Sequence, residues 1–498
     1  MKLLRVQVPD FRILKNVDIT FEPEFIPSIF PLGSQNGGGK STLLQLIFIL
    51  LHCSTDSDKK DFVKNILYGF TINKNSKKRV LAIIDIWNED KIIQMEFLSY
   101  HDSYLRELLI SNDKTEVDND NYLQFSASNQ LEKVINKISI NQKEIQDLER
   151  AIIKLDNVRK IESREERSYV LRDLVQRLQR FEFRTLRLAI ENISANISAN
   201  IYIERFQNEV QTRLDISKLN LEKYYEEREQ LEHILQRVLK YLQSEKLLYI
   251  CNYSANGNED EEEEEVLLCR ISNIDMNKVE IFMKELSQKI FLAAPSTQVF
   301  LFHSKESRKL LFKEQDNETD YYSQLKLAKS KLSGFFTYDF LAVDILIEAF
   351  KSARDKDFAE AIKKGEYGNS YKALINDLNI ILFNKKINID TDLSGVSFKL
   401  DKDGLELYPE DLSHGELKRL SIYIWIKYHN IENAIVLMDE IEIAFHPDWQ
   451  YQIIADLNQW SSSNQYILAT HSYELCQALT PAHVKELEPK LLKQEAKN

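Results

Sequence analysis

Cysteine is scarce: four residues in 498, Cys53, Cys251, Cys269 and Cys476, none at C-x-x-C spacing. That pattern argues against a disulfide framework or a zinc ribbon and fits buried packing in a reducing compartment. No apolar run reaches roughly 18 residues and no signal peptide is evident, so no membrane contact and a cytoplasmic location are expected. A basic balance is also missing. The 65 Lys+Arg against 78 Asp+Glu leave a net charge of −13. That balance argues against a uniformly basic nucleic-acid binder and leaves DNA or RNA contact to a local patch or to a partner. Glycine is thin as well, at 12 residues, yet four of them fall between residues 33 and 42.

Those residues read Gly-Ser-Gln-Asn-Gly-Gly-Gly-Lys-Ser-Thr. Glycine lets the backbone take φ > 0 and bring N–H groups up to an anion, and a helix opening at Ser41 would add the positive end of its dipole. The apolar run Ile29, Phe30, Leu32 before the loop and the apolar helix Leu43 to Leu51 after it give the loop the strand-loop-helix setting of a phosphate cradle. Asn36, Gly37, Gly38, Gly39 and Thr42 would line the triphosphate, Lys40 would pair with its β and γ phosphates, and the Ser41 hydroxyl would sit on a bridging Mg²⁺. Counting back from Lys40, the first glycine of G-x-x-x-x-G-K-[ST] falls at Ser34, with Gly33 one place earlier. The start of the loop is therefore expected to be rearranged.

At 498 residues with 43% hydrophobic content, the chain can bury a large core, and its length suggests roughly two to four domains. Short β-rich runs (Leu3 to Val8, Val17 to Phe21, Val80 to Trp87, Ile92 to Phe97) surround the phosphate loop. From Leu131 the pattern changes. Leu131, Ile138, Ile145 and Ile152 recur every seven residues with Val134, Leu148 and Leu155 as companions and Asn141 at the remaining position, which predicts a coiled-coil seam. A second helical stretch, Leu214 to Ile250, carries Tyr224, Leu231 and Val238 offset from Ile234, Tyr241 and Leu248. The two can pair antiparallel as a short arm of ~35 to 50 Å, which excludes long-armed clamps.

Between them lies an arginine-dense stretch (Arg159, Lys160, Arg164, Arg167, Arg172, Arg177, Arg180, Arg184, Arg187) mixed with acids and with Phe181 and Phe183. A solvated helix laced with i,i+4 pairs is favoured there over nucleic-acid contact. The doubled Asn-Ile-Ser-Ala at 192–199 is too short for a solenoid, and the acids Glu259 to Glu265 read as a solvated loop. A strand-like segment, Ile290 to Phe302, follows, then helices to about Phe383 and β-rich residues Ile387 to Leu407.

A second chemical cluster completes the pattern. Leu412-Ser413-His414-Gly415-Glu416 opens an apolar helix, Ile435 to Met438 forms a buried strand ending in Asp439-Glu440, and the strand Tyr466 to Ala469 ends in Thr470-His471. A carboxylate at a buried strand end, as at Asp439, can hold the water shell of Mg²⁺, while Glu440 beside it can accept a proton from the attacking water. The His471 imidazole can hydrogen-bond the γ-phosphate or that water.

In this order the motifs resemble those of ABC-type ATPases of the SMC/RecF/OLD branch: Gly33 to Thr42 the Walker A loop, Leu412 to Glu416 the signature, Leu437 to Glu440 Walker B, Glu442 to Pro447 the D-loop and Thr470-His471-Ser472 the switch. The short arm and the segment Ala293 to Gln298 look most like PtuA-type ATPases of Septu anti-phage systems. The resemblance implies an α/β nucleotide-binding domain split by an inserted coiled-coil arm: residues 1–126 as its first half, 127–288 as the arm with an acidic loop at 258–265, and 289–498 as its second half. It also implies ATP and Mg²⁺ as ligands, Glu440 and His471 as catalytic residues, and nucleotide contacts from Arg12, Ser413, Gly415 and Glu416. Gln298 is the Q-loop glutamine and metal contact on this reading, with Gln124 and Gln130 as rivals. His414 replaces a signature glycine, which bears on hydrolysis more than on binding.

One chain carries one copy of each motif, so a complete site requires a homodimer, with a higher homo-oligomer expected beyond it. The residues after His471, 472 to 498, are too few for a Toprim domain. The expected function is thus an ATPase subunit of a bacterial defence complex that holds or regulates a separate nuclease, of HNH type for example. A RecF-like repair clamp acting on DNA, a transporter subunit and a non-hydrolysing ATP-sensing scaffold are the rival readings.

Overall fold

The computed structural model describes residues 1–34, 37–72, 76–89, 91–101, 127–158, parts of 160–178, 199–254, 265–302, 330–338, 342–390, 392–393 and 395–487. Outside the described residues lie Asn36, Gln124, every arginine of the Arg159 to Arg187 stretch, Phe181, Phe183, residues 192–198 and the acids 259–264. The chain divides into two compact units, Met1–Tyr104 with Leu242–Asn498, and Leu105–Tyr241.

The first unit is α/β. At its centre is a sheet of order β15-β3-β14-β13-β8-β9 whose neighbouring strands are all parallel: β3 (Ile29–Gly33), β8 (Ile290–Ala294), β9 (Phe335–Thr337), β13 (Ile435–Asp439), β14 (Gln465–Ala469) and β15 (Lys485–Glu486). Its central strands read as near-continuous apolar runs because both faces are covered. Alternation assigns the faces. Phe30, Leu32, Leu292, Leu437 and Ile467 join one core, while Ile29, Ala293, Val436, Met438 and Leu468 join the other. Each such aliphatic side chain contributes about 1.5–3 kcal/mol when fully buried.

The first core is closed by helix α1 (Lys40–Cys53) and by an antiparallel sheet of order β2-β1-β4-β5-β7-β6. This sheet comprises β1 (Lys2–Phe11), β2 (Leu14–Thr20), β4 (Lys78–Asn88), β5 (Lys91–His101), β6 (Leu247–Tyr253) and β7 (Glu265–Ser272). The second core is closed by helices Ala342–Lys364, Ser370–Ile381, His414–Tyr428 and Pro447–Trp460, and by the small sheet β10 (Lys385–Ile389), β11 (Val396–Leu400) and β12 (Glu406–Leu407).

Three sequence expectations are corrected here. Residues 242–288 belong with the first unit: β7 pairs with β5 in the register Phe97↔Cys269, β6 continues the sheet, and helix Met276–Gln288 packs Val279 and Phe282 into the first core. The second helix of the arm consequently ends at Ser244, and Leu248 and Ile250 lie in a strand. Glu265 is no part of a solvated loop. It is buried, accepts from Ile72 N (2.8 Å) and from the Tyr253 hydroxyl (2.5 Å), and opens β7. The return segment is strand only to Ala294 and continues as the 3-10 helix Ser296–Phe302. Cys53, Cys251 and Cys269 are buried in the core, where burial pushes the Cys53 and Cys251 thiols up to about 12.

The second unit is built on two helices, Ala127–Val158 and Ala199–Ser244. Gln142 meets Tyr225, Glu144 meets Ser217 and Asp156 meets Gln207, so the partners run in opposite directions. Val134, Ile138, Ile145, Leu148 and Leu155 are buried along this pairing, with Asn141 among them. The longer helix, at 46 residues, spans about 70 Å, more than the sequence reading allowed. Ile203, Phe206 and Val210 extend its apolar stripe N-terminal to Leu214. The side chains of Ile234, Val238 and Tyr241 are outside the described set.

Candidate functional site

Parallel register brings four segments, distant in sequence, to one edge of the central sheet. Leu32 is level with Ala469, Ala469 with Asp439, and Met438 with Ala293. The phosphate loop, the Thr470-His471 switch, Asp439-Glu440 and the Pro295–Gln298 turn therefore all leave the sheet at the carboxyl ends of adjacent strands, where open α/β sheets bind ligands.

The loop is shaped by its glycines. Gly37 and Gly39 have φ of 81° and 89°, and a Cβ on Gly39 would stand 2.6 Å from Leu14 Cδ2 and 2.9 Å from Ile13 Cγ2. The tip of the β1–β2 hairpin thus presses on the loop and admits only glycine there. Gly39 caps α1, and Leu43 N donates to its carbonyl. Ser41 and Thr42 open that helix half-buried, and Gly38 is buried beside them. Lys40 is buried, and its Nζ donates to Ser34 O (3.2 Å) and Ser34 Oγ (3.0 Å) and stands 3.5 Å from His471 Nδ1. The serine found where a glycine is expected therefore holds the lysine.

Asp439 is buried, accepts from the Gln298 amide, and leaves Oδ1 without a hydrogen-bond partner. Burial raises its carboxyl above the usual range, Gln298 and Ser41 counter this, and repulsion from Glu440 and Glu442 adds to it. A buried carboxylate that interacts with the Ser41 hydroxyl and keeps one oxygen unpartnered suits a hard cation that retains most of its water, and Ser41 and Asp439 fit Mg²⁺ in this sense. Gln298 is brought to the site, but its Oε1 accepts from Gln45 Nε2 (3.0 Å) while its nitrogen faces Asp439. In this arrangement it holds the aspartate and offers no oxygen to a metal.

Glu440 follows with φ 51°, its N–H donating to Ala469 O (2.9 Å). Glu442 is buried; its Oε1 accepts from His471 N (2.7 Å), which fixes the switch residue to the D-loop. Sequence reasoning missed Lys418. Its buried Nζ donates to Glu440 O (2.9 Å) and Ile443 O (3.2 Å) and lies 4.0 Å from the centre of the Tyr338 ring. Burial lowers this amine to about 7 against the pull of Glu442, Glu440 and Asp439. Its position one turn past Gly415 was visible, but a sequence does not distinguish a buried lysine from a solvated one.

The signature residues divide in role. Ser413 is exposed and caps helix His414–Tyr428, its hydroxyl and N–H donating to Glu416 Oε2 at 2.9 and 3.0 Å. Glu416 is buried and also bridges to Lys385, so its carboxylate positions Ser413 and is not presented to a nucleotide. Gly415 is buried as well; a Cβ there would be 2.6 Å from Ala444 O, so glycine is what lets the D-loop lie against this helix. Arg12, in the hairpin tip at φ 52°, donates to Ile66 O (2.8 Å).

The family model of the AAA ATPase domain matches residues 1–476. The chain belongs to that family. Two curated relatives of this AAA ATPase are each 27% identical to it: the retron Vc95 probable ATPase of Vibrio cholerae serotype O1 biovar El Tor over 127 residues, and the retron Ec83 probable ATPase of Escherichia coli over 108. The matched segments cover 23% and 20% of this chain and the same shares of those relatives, so the chain spans about a quarter or less of their length. Among solved structures, the Smc head domain with an extended coiled coil of Pyrococcus furiosus aligns at 13% identity and TM-score 0.29, covering 96% of this chain and 91% of that one. The Smc head domain with a coiled coil and joint of Pyrococcus yayanosii aligns at 11% and 0.30, covering 96% and 93%. Among the described residues, no helix is long and apolar enough to cross a membrane.

Proposed function

We propose that this AAA ATPase binds and hydrolyses ATP as the subunit of a bacterial anti-phage defence complex of the Septu kind, in which an ATP-bound homodimer holds or licenses a separate nuclease. The observation that carries the reading is the meeting of Lys40, Ser41, Gln298, Asp439, Glu440 and His471 around the carboxyl ends of four parallel strands. Ser41 and Asp439 would hold Mg²⁺, which when bound neutralises phosphate charge. Lys40, already beside His471, can exchange its Ser34 contacts for phosphate oxygens. Glu440 takes the proton of the attacking water, and His471, held by Glu442, orients that water.

Ser413 is exposed and oriented by Glu416, which supports its use on a nucleotide bound to a second copy. The retron relatives, named as probable ATPases of two bacteria, support the ATPase reading and a bacterial setting. An HNH nuclease as partner, contact with DNA directly or through it, assembly beyond a dimer and action in the cytoplasm belong to the same proposal. The rival reading of an ATP-sensing scaffold without turnover draws on one observation, the exposed His414 in place of a signature glycine.

Equilibrium binding of a fluorescent ATP analogue tests the nucleotide site. Lys40→Ala should weaken binding about 100-fold, equivalent to ~2.7 kcal/mol of charge-assisted contact. Unchanged affinity in a folded variant contradicts the assignment.

A further inference from the structure

Glu440 sits in the left-handed region at φ 51°, where a non-glycine residue costs roughly 1–2 kcal/mol. Such a conformation persists only where its surroundings over-determine it. Two backbone bonds contribute: Glu440 N to Ala469 O at 2.9 Å, and Ile443 N to Glu440 O at 3.3 Å. The third comes from outside the loop. Lys418 Nζ donates to the same Glu440 carbonyl and, 3.2 Å away, to the Ile443 carbonyl, closing a bridge across both ends of the turn.

Burying an ammonium is costly unless it is paired. Here the cost is offset by two carbonyls, by the Tyr338 ring at 4.0 Å and the Phe445 ring at 5.5 Å, and by the carboxylates of Asp439, Glu440 and Glu442 around it. Lys418 also lines a cavity of about 410 Å³ with Pro295, Tyr338, His414, Leu417 and Glu440. The buried Lys418 thus joins the signature helix to the carboxylate loop. Ser413 is the N-cap of the helix that carries Lys418, about 1.4 turns away, so one rigid element connects the Ser413–Glu416 cap to the Glu440 turn.

We infer that Lys418 is a positioning residue that holds the Glu440–Ile443 turn and couples engagement of the signature serine to the placement of the general base. The inference rests on the hydrolytic reading above. It concerns the rate of the chemical step and leaves nucleotide capture to the phosphate loop.

The test uses the full chain and three variants, Lys418→Met, Glu440→Gln and the double variant, with steady-state ATP turnover and direct nucleotide binding measured for each. Methionine keeps the length of the buried stem and removes the charge; if that variant does not fold, Lys418→Gln takes its place under the same criteria. The expected result is a fall in kcat of about 10- to 100-fold with KM and nucleotide affinity within about twofold of the parent. The double variant should be no slower than Glu440→Gln alone, because a residue acting through Glu440 has nothing left to position. Parental kcat in the Lys418 variant, an equal loss of affinity and kcat, or a further multiplicative loss in the double variant overturns the inference while leaving the ATPase reading in place. A parental chain without turnover, or a Glu440→Gln variant at the parental rate, removes the hydrolytic reading and the inference with it.

Discussion

Gly415 illustrates how much of this site is decided atom by atom. The Cβ of an alanine there would lie 2.6 Å from the Ala444 carbonyl oxygen and 3.4 Å from Trp449, and the nearer neighbour is backbone that must shift. Gly415→Ala should therefore destabilise the chain by about 1–3 kcal/mol and displace the D-loop. A thermal melt reads the first effect, and a fall in ATP turnover with nucleotide affinity retained reads the second; a variant with the parental melt and rate contradicts the packing role. At this scale the sequence was partly legible. Lys40, Asp439, Glu440 and His471 stand together as their motifs suggested, because residue type and chain order carry that information. Glu416 and Gly415 belong to motifs yet serve packing and capping, while Lys418 and Glu265 were hidden, since burial of a charged residue depends on neighbours far along the chain.

Elements were legible where period and composition agree. The apolar runs at Ile29, Ile435 and Tyr466 became central parallel strands, and the seven-residue recurrence from Leu131 became the buried seam of a helix. Boundaries were set by partners that the local sequence does not name: β6 exists because β7 is beside it, and β7 because β5 offers an open edge. Replacing residues through Ile250 by a linker would thus remove a strand of the first unit. A replacement of residues 105–241 by a Gly/Ser linker respects the observed division. We propose that the arm is a docking element, since the buried Asn141 in its seam specifies pairing more than it adds stability. The linker variant should keep nucleotide affinity within about twofold. It should also lose assembly beyond a dimer or capture of the nuclease partner. Light scattering coupled to size-exclusion chromatography reads the assembly mass, and an unchanged mass with and without the partner contradicts the docking role.

At the scale of the whole molecule, the proposed reading makes two features complementary halves of a nucleotide site: the phosphate loop backed by Asp439 and Glu440, and the exposed Ser413 that caps a separate helix. No single copy needs to close both on one nucleotide if two copies exchange them, and the closed dimer then depends on ATP that has not been consumed. The measurement that tests this most directly is the mass of the Glu440→Gln chain in solution with ATP and Mg²⁺, determined by light scattering beside its turnover rate. The account predicts loss of turnover with a mass at least twice that of the nucleotide-free chain. A Glu440→Gln chain that hydrolyses ATP at the parental rate, or that binds ATP and keeps the mass of the nucleotide-free chain, contradicts it.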